Sequence, residues 1–413
     1  MPEPPELVSS SGTGRALNVI IVGGSLGGLL SGVTLKRRGH NVRILERNPA
    51  PLLQNQGAGL VAGPNVQKFL KKHNIPLSLV TIPARSRIHL DKNNVQTYRE
   101  KTDWKVTSWD LLYYLLRANF DGVSSSYCDV PRPTPREGTA LYDYGCTVVD
   151  VRGLPGNVVQ VQYRGRNGHV ETSTADVLIG ADGPSSTVRR LFEPSAVRSY
   201  VGYCAWRGTV PETHLSKETR AMLSEKVIYF YGPKTHILCY IIPGANGAIR
   251  PGHRVANMVW YRNYHEGSQA FRELMTDKNG IFHRHTLAAD KVQPDKWTAQ
   301  QNLARATLPR PLVEIVTKIS RPFVQVITDV LASRSAFMGG KIILVGDALA
   351  GFRPHIAAST DQAAYNAELL AQMLSREVTV QAFDGAVMKY ARDGSKRAVD
   401  VGQSSQFGAL QKL

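Results

Sequence analysis

Residues 18–23 form a largely apolar, β-branched run bounded by glycine, a pattern that predicts a buried strand. Leu26, Leu29, Leu30, Val33 and Leu35 then recur at helical spacing over 26–38, and a second short apolar run occupies 41–46. Strand, helix and strand in that order predict a βαβ unit with a right-handed crossover and a parallel sheet. Pro64 opens a predicted helix over 64–73. Another is predicted at 107–118, where Thr107 or Ser108 can cap and Leu111, Leu112, Leu115 and Leu116 repeat. Residues 124–145 are rich in Ser, Pro and charge and read as loop; strands follow at 147–151, 157–163 and within 175–183. From about 196 the texture changes to aromatic, strand-like runs such as VIYFYG and HILCYIIPG, giving a mainly β region to about 265 and a mixed segment to about 332. Residues 341–346 return to the first style, an apolar strand running into an acid, and helices are predicted at 359–376 and 381–395. No internal repeat is evident.

Composition narrows this picture. The 413 residues exceed one small core and 42% of them are hydrophobic, so a large buried interior is available. No apolar run reaches about 18 residues, so no membrane span is predicted. The Pro- and Ser-rich stretch 1–16 lacks the apolar centre of a signal peptide and reads as a loose tail, which points to a cytoplasmic protein. Cys128, Cys146, Cys204 and Cys239 lie in no metal-ligand spacing, so reduced thiols and no metal site are expected. The formal charge of +17 is dispersed and no basic helix or aromatic-studded basic strip emerges. Nucleic acid is therefore not the expected partner; an anionic cosubstrate such as NAD(P)H suits the charge.

The candidate chemistry begins at Gly23-Gly24-Ser25-Leu26-Gly27-Gly28. A glycine-rich turn between strand and helix aims backbone N–H groups and the positive helix end at an anion. Ser25 replaces the middle glycine of the usual fingerprint, and Glu46 ends the second strand about 20 residues on, where an acid can accept from a ribose. Two more apolar strands end in turn acids, at Asp182-Gly183 and Gly346-Asp347. Ligands in such sheets bind at the carboxyl ends of the strands.

With these three motifs in this order, the chain resembles the class A flavin monooxygenases of the p-hydroxybenzoate hydroxylase superfamily, from about Asn18 to the C-terminal helices. YVGYCAWRGTVPE (200–212), TSWDLLYYLL (107–116), VWYRNY (259–264) and GFRPH (351–355) are similar to the 2,6-dihydroxypyridine 3-monooxygenase-like branch. The resemblance implies an α/β fold: a Rossmann-like FAD-binding domain, with a parallel sheet and helices, interleaved with a mixed, mainly β substrate domain. The FAD-binding part would take 17–195 and 333–413, and the substrate domain 196–332. It also implies non-covalent FAD, with NAD(P)H as cosubstrate. Gly23, Gly24, Ser25 and Leu26 would surround the diphosphate. Glu46 would bind the AMP ribose beside Arg47, and Gly59 and Leu60 would be further cofactor positions. Asp182 would support FAD and NAD(P)H, Asp347 would hold the ribityl chain or diphosphate, and the amides of Ala357 and Ala358 would face the flavin pyrimidine. The loop Ala357-Ala358-Ser359 stands where relatives carry glycines, and Trp109 where many have arginine.

The implied reaction is hydroxylation of a phenolic or heteroaromatic small molecule by O2 through a flavin C4a-hydroperoxide, in a dry pocket. His236 is the first candidate base, because an unperturbed histidine titrates near neutrality; Tyr229, Tyr231 and Tyr240 are others. His355 and Pro354 belong to the loop that would approach the reacting edge of the flavin. Trp206 and Arg207 are expected to pack structurally. The same motifs would also serve oxidative decarboxylation, epoxidation, oxidation without oxygen insertion, or a non-catalytic flavin-binding relative. A homodimer is compatible with all of these readings.

Overall fold

The computed structural model describes residues 15–53 and 58–408. Most of the N-terminal tail expected at 1–16 thus lies outside the described residues. Strand β1 (Asn18–Val22) is followed by helix α1 (Leu26–Arg37) and strand β2 (Asn41–Glu46). The strands are parallel and in register, Asn18 opposite Asn41 and Val22 opposite Leu45. The six-stranded sheet around them runs, from edge to edge, Ala336–Phe337, Ile342–Leu344, Val177–Gly180, β1, β2 and Ala140–Tyr144. Only the pairing of Ala336–Phe337 with its neighbour is antiparallel. Both faces are covered, so its central strands are apolar apart from the exposed Asn18 at the start of β1.

The second sheet is larger and mixed. Its strands run Thr286–Leu287, Phe323–Leu331, Ser199–Pro211, Val255–Asn263, Thr235–Ile242, Lys226–Gly232, Ile82–Leu90, Gln96–Ser108 and Gly59–Val61, with Ala350–Gly351 against Phe323–Leu331. Three of these strands come from before residue 110, where the sequence reading expects only the FAD-binding segment, so the two sheets exchange chain several times. A three-stranded antiparallel sheet (Thr147–Leu154, Val158–Arg164, Val170–Ala175) completes the architecture. Helix Ser359–Leu374 lies against α1. Within the expected loop 124–145, residues Ala140–Tyr144 form the sheet's outer strand.

All four cysteines are free. Among the described residues no His, Cys, Asp and Glu cluster could hold a metal ion, and no helix is long and apolar enough to cross a membrane.

One side chain ties two helices that lie far apart in the sequence. Helix Pro64–Lys72 starts after Gly63, which has no side chain to cap it. The buried Asp361 supplies the cap from helix Ser359–Leu374: its Oδ1 accepts from the backbone N–H of Asn65 (2.8 Å) and Val66 (3.1 Å). Its Oδ2 accepts from Asn65 Nδ2 (2.7 Å) and from the Tyr390 hydroxyl (3.0 Å). A Cβ at position 63 would come within 2.4 Å of Oδ1, which explains glycine there. Asp361→Ala strands several buried donors and should cost about 2–3 kcal/mol of stability, seen as a lowered denaturant midpoint. Asp361→Asn keeps an acceptor and should cost less. Equal midpoints for wild type and Asp361→Ala would remove the cap from the account.

Candidate active site

The glycine turn is built by close approach. Gly23 has φ +102°, and a Cβ there would lie 2.5 Å from the Ala181 carbonyl oxygen. A Cβ on Gly28 would lie 1.9 Å from the Gly23 carbonyl oxygen, so only glycine lets α1 sit this near the end of β1. Glu46 braces the turn: Oε2 accepts from Gly24 N (2.7 Å) and Oε1 from Asn48 N (2.8 Å). Each oxygen keeps a further lone pair. The Tyr142 hydroxyl donates to the Gly24 carbonyl (3.0 Å), and the Arg117 guanidinium lies 3.7 Å from the centre of the Tyr142 ring. Ser25 precedes α1 without using its hydroxyl as a cap.

The two turn acids differ in what they hold. Asp182 Oδ1 accepts from the Ser186 hydroxyl, and Oδ2 accepts from Thr187 N (2.6 Å) and Val188 N (3.3 Å). Its carboxylate thus caps the short helix Thr187–Phe192, while the flanking Ala181 and Gly183 line the adjacent cavity. The buried Arg189 from that helix donates to the carbonyls of Pro184 (2.6 Å) and Ala348 (2.7 Å), fastening one acid turn to the other. Asp347 points into the cavity, and its Oδ1 is shielded from solvent with no hydrogen-bond partner among the described residues. Burial raises its pKa to about 6, against the opposing pull of the Ser359 hydrogen bond and the Arg198 charge. Ala357 adopts φ +51°, the left-handed backbone that glycines would take easily, so the loop conformation survives without glycine at some strain. Ala357, Ala358, Ser359 and Thr360 bring the amino end of helix Ser359–Leu374 to the same cavity.

That cavity, about 410 Å³, continues over one face of the large sheet. Period-two alternation decides which side chains reach it. On Ser199–Pro211, Arg207 faces the cavity while Trp206 packs on the other side, its ring 5.4 Å from that of Trp297. On the neighbouring strands Tyr229, His236, Tyr240 and Tyr261 face it. Arg207 Nη1 donates to Gln325 Oε1 (3.0 Å), and its shielded Nε has no partner among the described residues. The expectation that Arg207 only packs is therefore corrected. The strand's bulge between Tyr200 and Cys204 stands upstream of it, and the sequence does not reveal the phase of the alternation.

His236 is also corrected, in its titration. It is 2% exposed and stacked with Tyr231 (4.3 Å between ring centres), Tyr261 (5.4 Å) and His355 (5.5 Å). Both ring nitrogens are shielded and unpartnered. Burial first, then the neighbouring His355 and His89, drives its pKa well below the usual histidine value. That direction favours the neutral ring, so His236 is not a base poised near neutrality, and both nitrogens are open to a ligand. His355 Nε2 shares a hydrogen bond with the Tyr203 hydroxyl (2.9 Å) and leaves Nδ1 unpartnered; burial, with Arg353, lowers its pKa to about 3. Tyr229 is raised to about 12 by burial, partly offset by Arg87.

Of the residues singled out by sequence, one cavity gathers Ser25, Leu26, Gly59, Leu60, Asp347, Ala357 and Ala358 with Tyr229, His236, Pro354 and His355. Gly23, Gly24, Glu46 and Asp182 do not line it but brace the turns whose neighbouring residues do, and Arg47 is exposed just after β2. Arg207 and Trp109, from the stretches 200–212 and 107–116, also line it, as do Gln325 and Trp104, which belong to no motif. Trp109 stacks on Tyr113 at 4.8 Å.

The family described as FAD binding domain-like matches residues 200–329. The chain is 29% identical to 2,6-dihydroxypyridine 3-monooxygenase of Paenarthrobacter nicotinovorans over 87% of this chain and 83% of that protein. It is 25% identical to 6-hydroxynicotinate 3-monooxygenase of Pseudomonas fluorescens, over 93% and 89%. The solved 2,6-dihydroxypyridine-3-hydroxylase from Arthrobacter nicotinovorans superposes with a TM-score of 0.83 at 25% identity, covering 96% of this chain and 95% of that one. The fold of Klebsiella pneumoniae HpxO, solved with FAD and uric acid, is also similar (TM-score 0.72, 16% identity, 96% and 90% covered).

Asp347 gives a pH-dependent test. Its folded pKa of about 6 exceeds its unfolded value of 3.8, so the folded protein binds this proton more tightly. The resulting cost to stability is absent below the unfolded value, grows between the two, and is full above about 6. In cofactor-stripped protein, Asp347→Asn should therefore be more stable than wild type at pH 7.5, by up to roughly 3 kcal/mol, and the gap should close near pH 4. The same variant should bind FAD more weakly. Equal stability at both pH values would contradict this placement of the carboxylate.

Proposed function

We propose that this chain is an FAD-dependent monooxygenase that uses NAD(P)H and O2 to add one hydroxyl to an electron-rich hydroxylated ring, of the hydroxypyridine or hydroxybenzoate kind. The observation that carries the reading is the single cavity joining the Ser25–Asp347–Ala358 end to the aromatic chamber around Arg207. The named relatives, which are monooxygenases of dihydroxypyridine and hydroxynicotinate, support it.

The residues fit FAD on two counts. The unpartnered Asp347 Oδ1 is an acceptor waiting for a hydroxyl such as that of a ribityl chain. The amino end of helix Ser359–Leu374 favours the electron-rich side of a flavin ring at Ala357 and Ala358. Ser25 and Leu26 would flank the diphosphate, Gly59 and Leu60 would run beside the cofactor, and Glu46 and Arg47 would serve the adenosine half. Asp182 would act through the turn it caps. FAD supplies the electrons taken from NAD(P)H and activates O2.

The protein's own contribution is orientation and exclusion of water. Arg207, with an unpartnered Nε, offers charge-assisted donors to an anionic oxygen on the substrate ring. Its charge favours the ionised, electron-rich form of a phenol or pyridinol without a base of matching pKa. His236, neutral, can donate from one ring nitrogen and accept at the other, and the neutral His355, held by Tyr203 through Nε2, offers Nδ1, which together can fix the ring plane beside Pro354. Tyr229, Tyr240, Tyr261 and Trp104 supply apolar walls that keep the chamber dry. The overall stoichiometry is one ring C–H, O2, NAD(P)H and a proton giving one ring C–OH, water and NAD(P)+.

Turnover of hydroxylated pyridines and benzoates under 18O2 should yield a product heavier by one labelled oxygen; NAD(P)H oxidation with only hydrogen peroxide formed across the panel would reject the monooxygenase reading. Arg207→Leu should retain FAD but bind the anionic substrate about 10–100-fold more weakly. Unchanged substrate affinity would take Arg207 out of recognition. The pH dependence of kcat/KM should track ionisation of the substrate, with no inflection from His236 between pH 6 and 9.

A further inference from the structure

A second cavity, about 760 Å³, lies on the far side of the strand pair Thr286–Leu287 and Phe323–Leu331. Thr286 and Gln325 line the first cavity, while their chain neighbours His285 and Val326 line the second. Alternation thus puts the two on opposite faces of the same strands. A ligand in the second cavity is additional to a substrate in the first.

The second cavity is cationic on one side. Arg198, Arg272 and Arg284 line it, against a single carboxylate, Glu266. Among the described residues Arg198 donates only to hydroxyls, those of Thr328 (2.7 Å) and Ser185 (2.9 Å), and it lies near enough to Asp347 for the two charges to interact. Arg272 and Arg284 are exposed and form no ion pair among the described residues. His285 offers a shielded, unpartnered Nδ1, and its neutral form is favoured by burial and by Arg198, Arg284 and Arg47.

The opposite side is aromatic. Tyr200 and Phe271 have ring centres 5.0 Å apart, and Phe282 stands 6.3 Å from Phe271 with 49% of its surface exposed. Phe282 is presented on a pinned loop: Asp277 accepts from Asn279 N (2.8 Å) and Ile281 N (3.0 Å) and pairs with His283 (2.9 Å). A ring displayed on a fixed loop loses little entropy on stacking. A simple anion would have no use for the rings, and a neutral aromatic would have no use for three guanidinium groups. Together they fit a ligand with both phosphates and a flat base.

We propose that this cavity binds the phosphate-bearing adenosine half of NAD(P)H, with Arg198, Arg272 and Arg284 on the phosphates and the base against Phe282. The assignment rests on the monooxygenase reading, which requires a dinucleotide reductant. Arg198, which lines this cavity, also interacts electrostatically with Asp347 of the first.

The test is calorimetric titration of FAD-loaded, full-length protein with NADP+, which does not react, and with ADP. The Arg272→Ala/Arg284→Ala variant should bind NADP+ at least about tenfold more weakly, and its affinity should depend less on salt. Phe282→Ala should weaken binding while leaving the charges intact. All of these residues are exposed, so the flavin spectrum should be unchanged and will report on folding. NADP+ affinity equal to wild type in both variants would overturn the proposal. ADP binding more tightly than NADP+ would also overturn it, since the cavity would then belong to a free nucleotide. Protein unable to take up FAD would defeat the monooxygenase reading alone, because NADP+ titration would still read the cavity.

Discussion

Asp347 is a carboxylate withdrawn from water with one oxygen left unpartnered, and the site is arranged around that cost. A shielded carboxylate is tolerated only when its surroundings are fixed and something offsets its desolvation. Arg189 fixes them by bonding Pro184 and Ala348, which locks the strand ends on either side. Arg198 and the Ser359 hydrogen bond offset part of the cost. The left-handed Ala357 adds local strain beside it. These unfavourable terms gather where three parallel strands end, the one region of such a sheet where helices and loops leave room for a ligand. A ligand that satisfies Asp347 and the neighbouring helix end would stabilise the whole chain by mass action.

The large sheet solves the complementary problem of surrounding a planar ring. Its one face carries tyrosines and neutral histidines in stacks, with Arg207 as the charge that reaches among them. The opposite face is filled by Trp206, Trp260, Cys239 and other buried apolar residues, which makes the sheet a stiff wall. Histidines in such a setting lose their use as bases near neutrality and keep their use as hydrogen-bonding rings. Recognition by charge and stacking suits a substrate that is flat, hydroxylated and readily ionised.

Much of the first sheet was legible in the sequence because its strands are buried on both faces and read as unbroken apolar runs. The glycine turn, Glu46 and Asp347 were legible for a related reason: their spacing follows from the strand–helix geometry itself. The strands Ile82–Leu90 and Gln96–Ser108 were not. Gln96–Lys105 has the sequence QTYREKTDWK and lies largely exposed, so no alternation announces it. Ala140–Tyr144 was hidden as an edge strand in which only Tyr142 is buried. Arg207 was read as a packing residue because its direction depends on the phase of one strand. The cations and rings of the second cavity come from separate stretches around 198–200, 266–272 and 282–285, and only the fold brings them together.

The central claim is that this protein holds FAD next to a chamber for an ionisable ring. An anaerobic visible spectrum of the purified, FAD-supplied protein during addition of NADPH or NADH, with and without a dihydroxypyridine, tests it most directly. The account predicts a two-banded flavin spectrum that bleaches, and a shift of the bands when the ring compound enters the chamber beside it. A protein that stays colourless after FAD is supplied, or a flavin that neither nicotinamide dinucleotide can reduce, would contradict it.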